Sequence, residues 1–148
     1  AGLTVRENLL LAARQGDIDP ARLQWIFTLF PALKRFWSLP AGHLSGGQKQ
    51  MLSTARAIIE PKKLLLIDEP TKGLAPAIIN NMIDALRELK SSTTMLVVEQ
   101  NLRFAQALGD TVAVMDSGRI VHQGSMAALA DDPHLQQSLL GLDLGAHQ

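Results

Sequence analysis

Apolar residues recur along this chain at two spacings, and the change from one to the other predicts where helices and strands fall. Thr4 and Glu7 stand at capping-box spacing ahead of Leu9, Leu10, Ala12 and Ala13, so a helix opens the chain and stops before Gly16. Asp19 before Pro20 supplies a helix cap followed by proline at the first helical position. Leu23, Trp25, Ile26, Phe27, Leu29 and Phe30 then carry a second helix to the break at Pro31. Residues 31–43 hold two prolines, one glycine and no sustained period, which predicts a short helical turn and a loop. Ser45 and Gln48 repeat the capping-box spacing, and Met51, Leu52, Ala55, Ile58 and Ile59 form one face of a helix that ends at Pro61.

From there the pattern alternates. Residues 64–68 are a short apolar run bounded by two lysines and Pro70, as expected of a strand buried on both faces. Ile79, Met82, Ile83, Leu86 and Leu89 follow Pro76 at three-and-four spacing, an amphipathic helix, and residues 93–98 read as a second buried strand. Asn101 can cap a helix reaching Leu108, and residues 111–115 read as a third strand. The turn Asp116-Ser117-Gly118-Arg119 then folds residues 120–123 back as a hairpin. Residues 125–140 predict two short helices broken near Pro133, with a frayed polar tail beyond. Strand, helix, strand, helix, strand is the order of a parallel sheet with covering helices, so the fold class is α/β. The expected division is a largely helical part over residues 1–43 and, over residues 44–148, the helix capped by Ser45 with the α/β core.

Composition narrows the function. Fourteen Lys and Arg balance 14 Asp and Glu, so no overall field favours nucleic acid or anionic lipid, and no nucleic-acid partner is expected. Cysteine is absent, which removes disulfides and thiolate metal sites and suits a reducing cytosol. The longest apolar runs fall far short of the roughly 18 residues that suggest a bilayer span. The opening Ala1-Gly2-Leu3-Thr4 has neither an initiator methionine nor the pattern of a signal peptide, and reads as a cut edge.

Two segments carry candidate chemistry. In Leu44-Ser45-Gly46-Gly47-Gln48, two glycines directly after a capping serine leave the first N–H groups of a helix uncovered, where the helix dipole adds partial positive charge. That end can hold a phosphate. A plain capped helix whose glycines only admit a close neighbour would show the same pattern. In Leu64-Leu65-Leu66-Ile67-Asp68-Glu69-Pro70, two acids emerge at the C-terminal end of a buried strand, where open parallel sheets place their ligands. Asp68 can hold Mg²⁺ and Glu69 can take a proton from water. Equally, two acids can simply mark a strand's exit into solvent.

The order LSGGQ, helix, apolar strand, Asp-Glu-Pro closely resembles the ATP-binding cassette (ABC) family. The resemblance implies a partial P-loop ATPase core and a head-to-tail dimer in which the signature helix of one subunit meets the γ-phosphate of ATP held by the other. Ser45, Gly46, Gly47 and Gln48 carry over to that contact, Asp68 to the magnesium site, Glu69 to the catalytic base and Gln100 to the switch position. Finer similarity lies in residues 3–9, 69–76 and 98–101, which look like the ATP-binding subunits of branched-chain amino acid importers, with urea and amide importers sharing similar segments. ATP, Mg²⁺, a second ATPase subunit, transmembrane permease subunits and a peripheral place on the cytoplasmic face of the plasma membrane are the implied associates.

Departures from the family pattern matter as well. Ala75 follows Leu74 where the pattern usually carries Asp, and Gln100 replaces the usual His, so the switch position cannot ionise. Nowhere does the chain contain GxxxxGK followed by Ser or Thr, the loop that cradles phosphates, and no residue before Leu3 can serve as the family's Mg²⁺-sensing glutamine. The expectation is the C-terminal part of an ATPase subunit, active when complete and inactive alone. A non-catalytic docking or assembly fragment is the competing reading. A chromosome-maintenance or DNA-repair ATPase is disfavoured by neutral charge and the lack of a long heptad segment. His43, His122, His134 and His147 lack metal-ligand spacing and are expected at surface or loop positions. Trp25, Phe27, Phe30, Phe36 and Trp37 read as core, or as a dock for a helix of a membrane partner.

Overall fold

A computed structural model describes residues 2–14 and 16–141. The polar tail expected past residue 140 and the start at Ala1 lie outside the described residues, as does His147, apart from Gly141 itself. Contacts divide the chain into two compact units, Ala1–Asn101 and Leu102–Gln148.

In the first unit, α1 (Val5–Leu10) begins at the expected capping box: Glu7 N–H donates to Thr4 Oγ1 at 3.2 Å and Thr4 N–H donates to Glu7 Oε2 at 2.7 Å. Helix α2 (Pro20–Leu29) is capped by Asp19, and Pro31 starts the one-turn α3 (Pro31–Arg35). A 3₁₀ turn at Ala41–His43 leads into α4 (Gly46–Ile58), so the predicted turn and loop contain one more helical turn than the sequence pattern indicated. Helices α1 and α3 pack on α4, and Val5, Leu9, Ile26, Phe30, Leu33, Leu52 and Ile58 are buried among them. Residues on both sides of position 43 therefore share one core. Phe30 belongs to it fully, while Trp25, Phe27, Phe36 and Trp37 are half-buried, with Phe27 and Trp37 in an edge contact at 5.2 Å.

Strand β1 (Leu64–Asp68) pairs in parallel with β2 (Thr94–Val98), joined by α5 (Pro76–Leu89), whose Met82, Ile83 and Leu86 are buried. These strands were expected to be buried on both faces, and one face is not. Leu65 points into the core at 6% exposure, whereas Leu64, Leu66, Leu96 and Val98 are 54–65% exposed. With a side-chain period of two, the register Leu66↔Leu96 and Asp68↔Val98 puts these residues on one face, and the described elements leave that face open.

The second unit contains α6 (Leu102–Leu108), then β3 (Thr111–Asp116) and β4 (Arg119–Ser125), then α7 (Met126–Asp131) and α8 (Pro133–Leu140). β3 was expected to extend the parallel sheet. Among the described strands it does not join β1 and β2, but it does form the expected antiparallel hairpin with β4, whose turn residues Ser117 and Gly118 both take positive φ, 48° and 77°. Such a two-residue turn matches the twist of the flanking strands and so makes local pairing favourable. Ser125 caps α7, Asp132 caps α8, and the buried Gln136 amide donates to Leu129 O and Ala130 O, tying the two short helices together. His43 and His134 are exposed and His122 is half-buried on β4.

Candidate active site at the ends of the parallel strands

Acids stand at the exits of both parallel strands, Asp68 ending β1 and Glu99 following β2, and the two exits form one cleft. It has a volume of about 360 Å³ and is lined by Glu69, Thr71, Lys72, Glu99, Gln100 and Asn101. Glu69 leaves β1 with φ 42°, a left-handed conformation uncommon for a residue with a side chain. Its backbone is held throughout: its N–H donates to Val98 O at 2.9 Å, and its carbonyl accepts from Lys72 N–H at 3.2 Å and from Gln50 Nε2 at 3.3 Å. Its carboxylate accepts Lys72 Nζ on Oε2 and Gln100 Nε2 on Oε1, each at 2.8 Å. The hydrogen bond and charge of Lys72, with a smaller contribution from Gln100, hold the Glu69 carboxyl below its ordinary pKa, and Glu69 in turn raises that of Lys72. The carboxylate is therefore ionised and aimed.

Glu99 plays the reciprocal part from the loop directly after β2. Its carboxylate accepts from Thr71 N–H at 2.9 Å, Thr71 Oγ1 at 2.6 Å and Asn101 N–H at 3.0 Å, binding the loop after β1 to the loop after β2. Sequence reasoning gave Glu99, Thr71, Lys72 and Gln50 no role. The signal for Glu99 lay in the symmetry of the two strand tips, Asp68-Glu69 and Glu99-Gln100, since parallel neighbours in register bring their C-terminal residues together.

Asp68 sits exposed at the end of β1, paired across the sheet with Val98. Among the described residues no three His, Asp or Glu side chains converge as a metal cage. A single open carboxylate still fits Mg²⁺, which keeps much of its water shell and commonly takes one or two carboxylates plus substrate phosphates.

The glycine-opened helix behaves as its sequence predicts. Ser45 caps α4 in a reciprocal box, with Gln48 N–H on Ser45 Oγ at 3.3 Å and Ser45 N–H on Gln48 Oε1 at 2.9 Å. Ser45 and Gly46 are exposed, and a Cβ at Gly46 would meet nothing within 4 Å. At Gly47 a Cβ would lie 2.6 Å from Gly73 O, so the head of α4 abuts the loop that follows β1. The structure thus brings Glu69 and Gln100 together in the cleft and joins Gly47 to the neighbouring loop, while Ser45 to Gln48 do not line the cleft itself.

Comparison with known proteins now places this arrangement. Residues 1–72 match the ABC transporter family. The chain is 40% identical, over 94% of its length, to the high-affinity branched-chain amino acid transport ATP-binding protein BraG of Pseudomonas aeruginosa. This chain belongs to the ABC transporter family. It is also 34% identical, over 96% of its length, to the probable branched-chain amino acid transport ATP-binding protein LivF of Archaeoglobus fulgidus. A solved ATP-binding subunit of an ABC transporter superposes with a TM-score of 0.73 at 27% identity, covering 95% of this chain and 58% of that one. The chain spans 61% of the length of BraG and 62% of that of LivF. Membership explains the order of the elements: the expected α/β core of an ABC ATPase is present in part, with a parallel pair that carries the acids. Among the described residues no helix is long and apolar enough to cross a membrane.

Proposed function

We propose that this chain forms the part of the ATP-hydrolysing subunit of an ABC importer that carries the LSGGQ helix and the Asp68-Glu69 strand end, in a subunit that energises uptake of branched-chain or other hydrophobic amino acids. The observation that carries the reading is the Glu69 carboxylate, held on both oxygens beside Asp68 at the C-terminal ends of parallel strands. Glu69 is the general base and receives a proton from the water that attacks the γ-phosphate. Gln100 orients it through an amide that cannot titrate. Asp68 holds Mg²⁺, which when bound neutralises charge on the phosphates. Ser45, Gly46, Gly47 and Gln48 present the uncovered helix end to ATP bound on a second subunit, in a head-to-tail dimer.

Residues 1–43 act as part of a helical subdomain and residues 44–148 as signature helix and core. Transmembrane permease subunits are the partners, reached from the cytoplasmic face of the plasma membrane. The amino acid substrate class follows the names of BraG and LivF, whose sequences this chain resembles. A non-catalytic docking role is the second reading for these 148 residues, within which no GxxxxGK segment followed by Ser or Thr occurs. Phosphate release separates the two. The chain alone should release none, and the same chain extended upstream through a phosphate-binding loop should turn over ATP. An extended protein that binds ATP and never hydrolyses it would favour docking.

A further inference from the structure

Two described residues hold the Glu69 carboxylate, and of these Gln100 has a proposed role while Lys72 has none. Its ammonium lies 2.8 Å from Glu69 Oε2, while its side chain is 78% exposed. An exposed ion pair of this kind contributes little to stability, so its effect must be sought in geometry. The Glu69 backbone is already fixed by bonds to its N–H and carbonyl, which leaves its side-chain torsions as the remaining freedom. Gln100 holds Oε1 alone, and one hydrogen bond lets a carboxylate pivot. A second bond on Oε2 removes that pivot, and each oxygen keeps a further lone pair with which to accept a proton from water.

We propose that Lys72 is a positioning residue for ATP hydrolysis, the second anchor that fixes the direction in which the Glu69 carboxylate faces the attacking water. This rests on Glu69 being the general base. Lys72 comes from the turn that Glu69 itself begins, closed by the Lys72 N–H bond to Glu69 O, so the anchor is built into the loop and needs no ligand to form. Small misplacements of a reacting group are costly to rate, and a base free to rotate about one hydrogen bond is misplaced for much of the time.

The test compares Lys72→Met, Lys72→Arg and Glu69→Gln in the complete subunit, following phosphate release across ATP concentrations and thermal unfolding of each variant. Lys72→Met should lower kcat by about tenfold with KM for ATP and the melting temperature unchanged, and Lys72→Arg should restore most of the loss. Three results overturn the proposal: an unchanged or raised kcat in Lys72→Met, a raised KM at unchanged kcat, which would place Lys72 on the phosphates, or no recovery in Lys72→Arg. Glu69→Gln separates this failure from that of the underlying reading. If Glu69→Gln hydrolyses ATP at the full rate, the base is elsewhere, whereas an inactive Glu69→Gln with a fully active Lys72→Met counts against the anchor alone.

Discussion

Two adjacent glycines at the head of α4 answer to different constraints. Gly47 is demanded by the fold, because any Cβ there would sit 2.6 Å from the backbone carbonyl of Gly73, which cannot swing aside as a flexible side chain would. Gly46 has open space around it, so nothing within the described chain requires a glycine there. Gly47→Ala should therefore lower stability by about 1–3 kcal/mol, while Gly46→Ala should leave it unchanged or slightly raised, as read by thermal unfolding. Equal losses in the two variants would contradict this division. The sequence pattern left both readings of the glycine pair open, phosphate approach and close packing. The structure shows packing at Gly47 and an uncovered position at Gly46, a distinction that depends on a loop 26 residues further on and so has no local signature. Gln50 was illegible for the same reason, reaching Glu69 O from a helix 19 residues earlier, whereas Lys72 is only three residues from Glu69 and meets it because the turn after β1 folds back.

Elements with strong local signals matched their sequence pattern closely. The capping boxes at Thr4 and Ser45, the proline starts of α2 and α5 and the turn at Ser117-Gly118 each occur where the residues indicated. What the pattern misjudged was the environment of the strands. Apolar runs such as residues 64–67 indicate strands, yet periodicity alone does not report what lies over each face, and β3 forms its expected hairpin without joining β1 and β2. One element also departs from its family pattern with a physical consequence. Ala75 occupies the N-cap of α5 with extended φ and ψ of −69° and 150°, and offers no side-chain acceptor to the helix. Ala75→Asp should raise stability by about 1 kcal/mol, measured by denaturant unfolding. An unchanged or lower stability would show that the first-turn N–H groups of α5 are already satisfied in another way.

At the scale of the molecule, the first unit gathers the helical segment, the signature helix and both parallel strands around one core, and the proposed chemistry sits at the strand ends of that unit. The family was legible because its two motifs are contiguous in sequence. The cleft was only half legible, since Glu99 and Thr71 join it through register between strands 30 residues apart. Hydrolysis as proposed depends on Glu69 as the group that takes a proton from water. The direct measurement is phosphate release and ATP binding by the complete subunit carrying Glu69→Gln, a change that keeps the shape of the side chain and removes its basicity. Turnover should fall by about 10² to 10⁴ with ATP still bound. Turnover retained at the level of the unsubstituted protein would contradict the account.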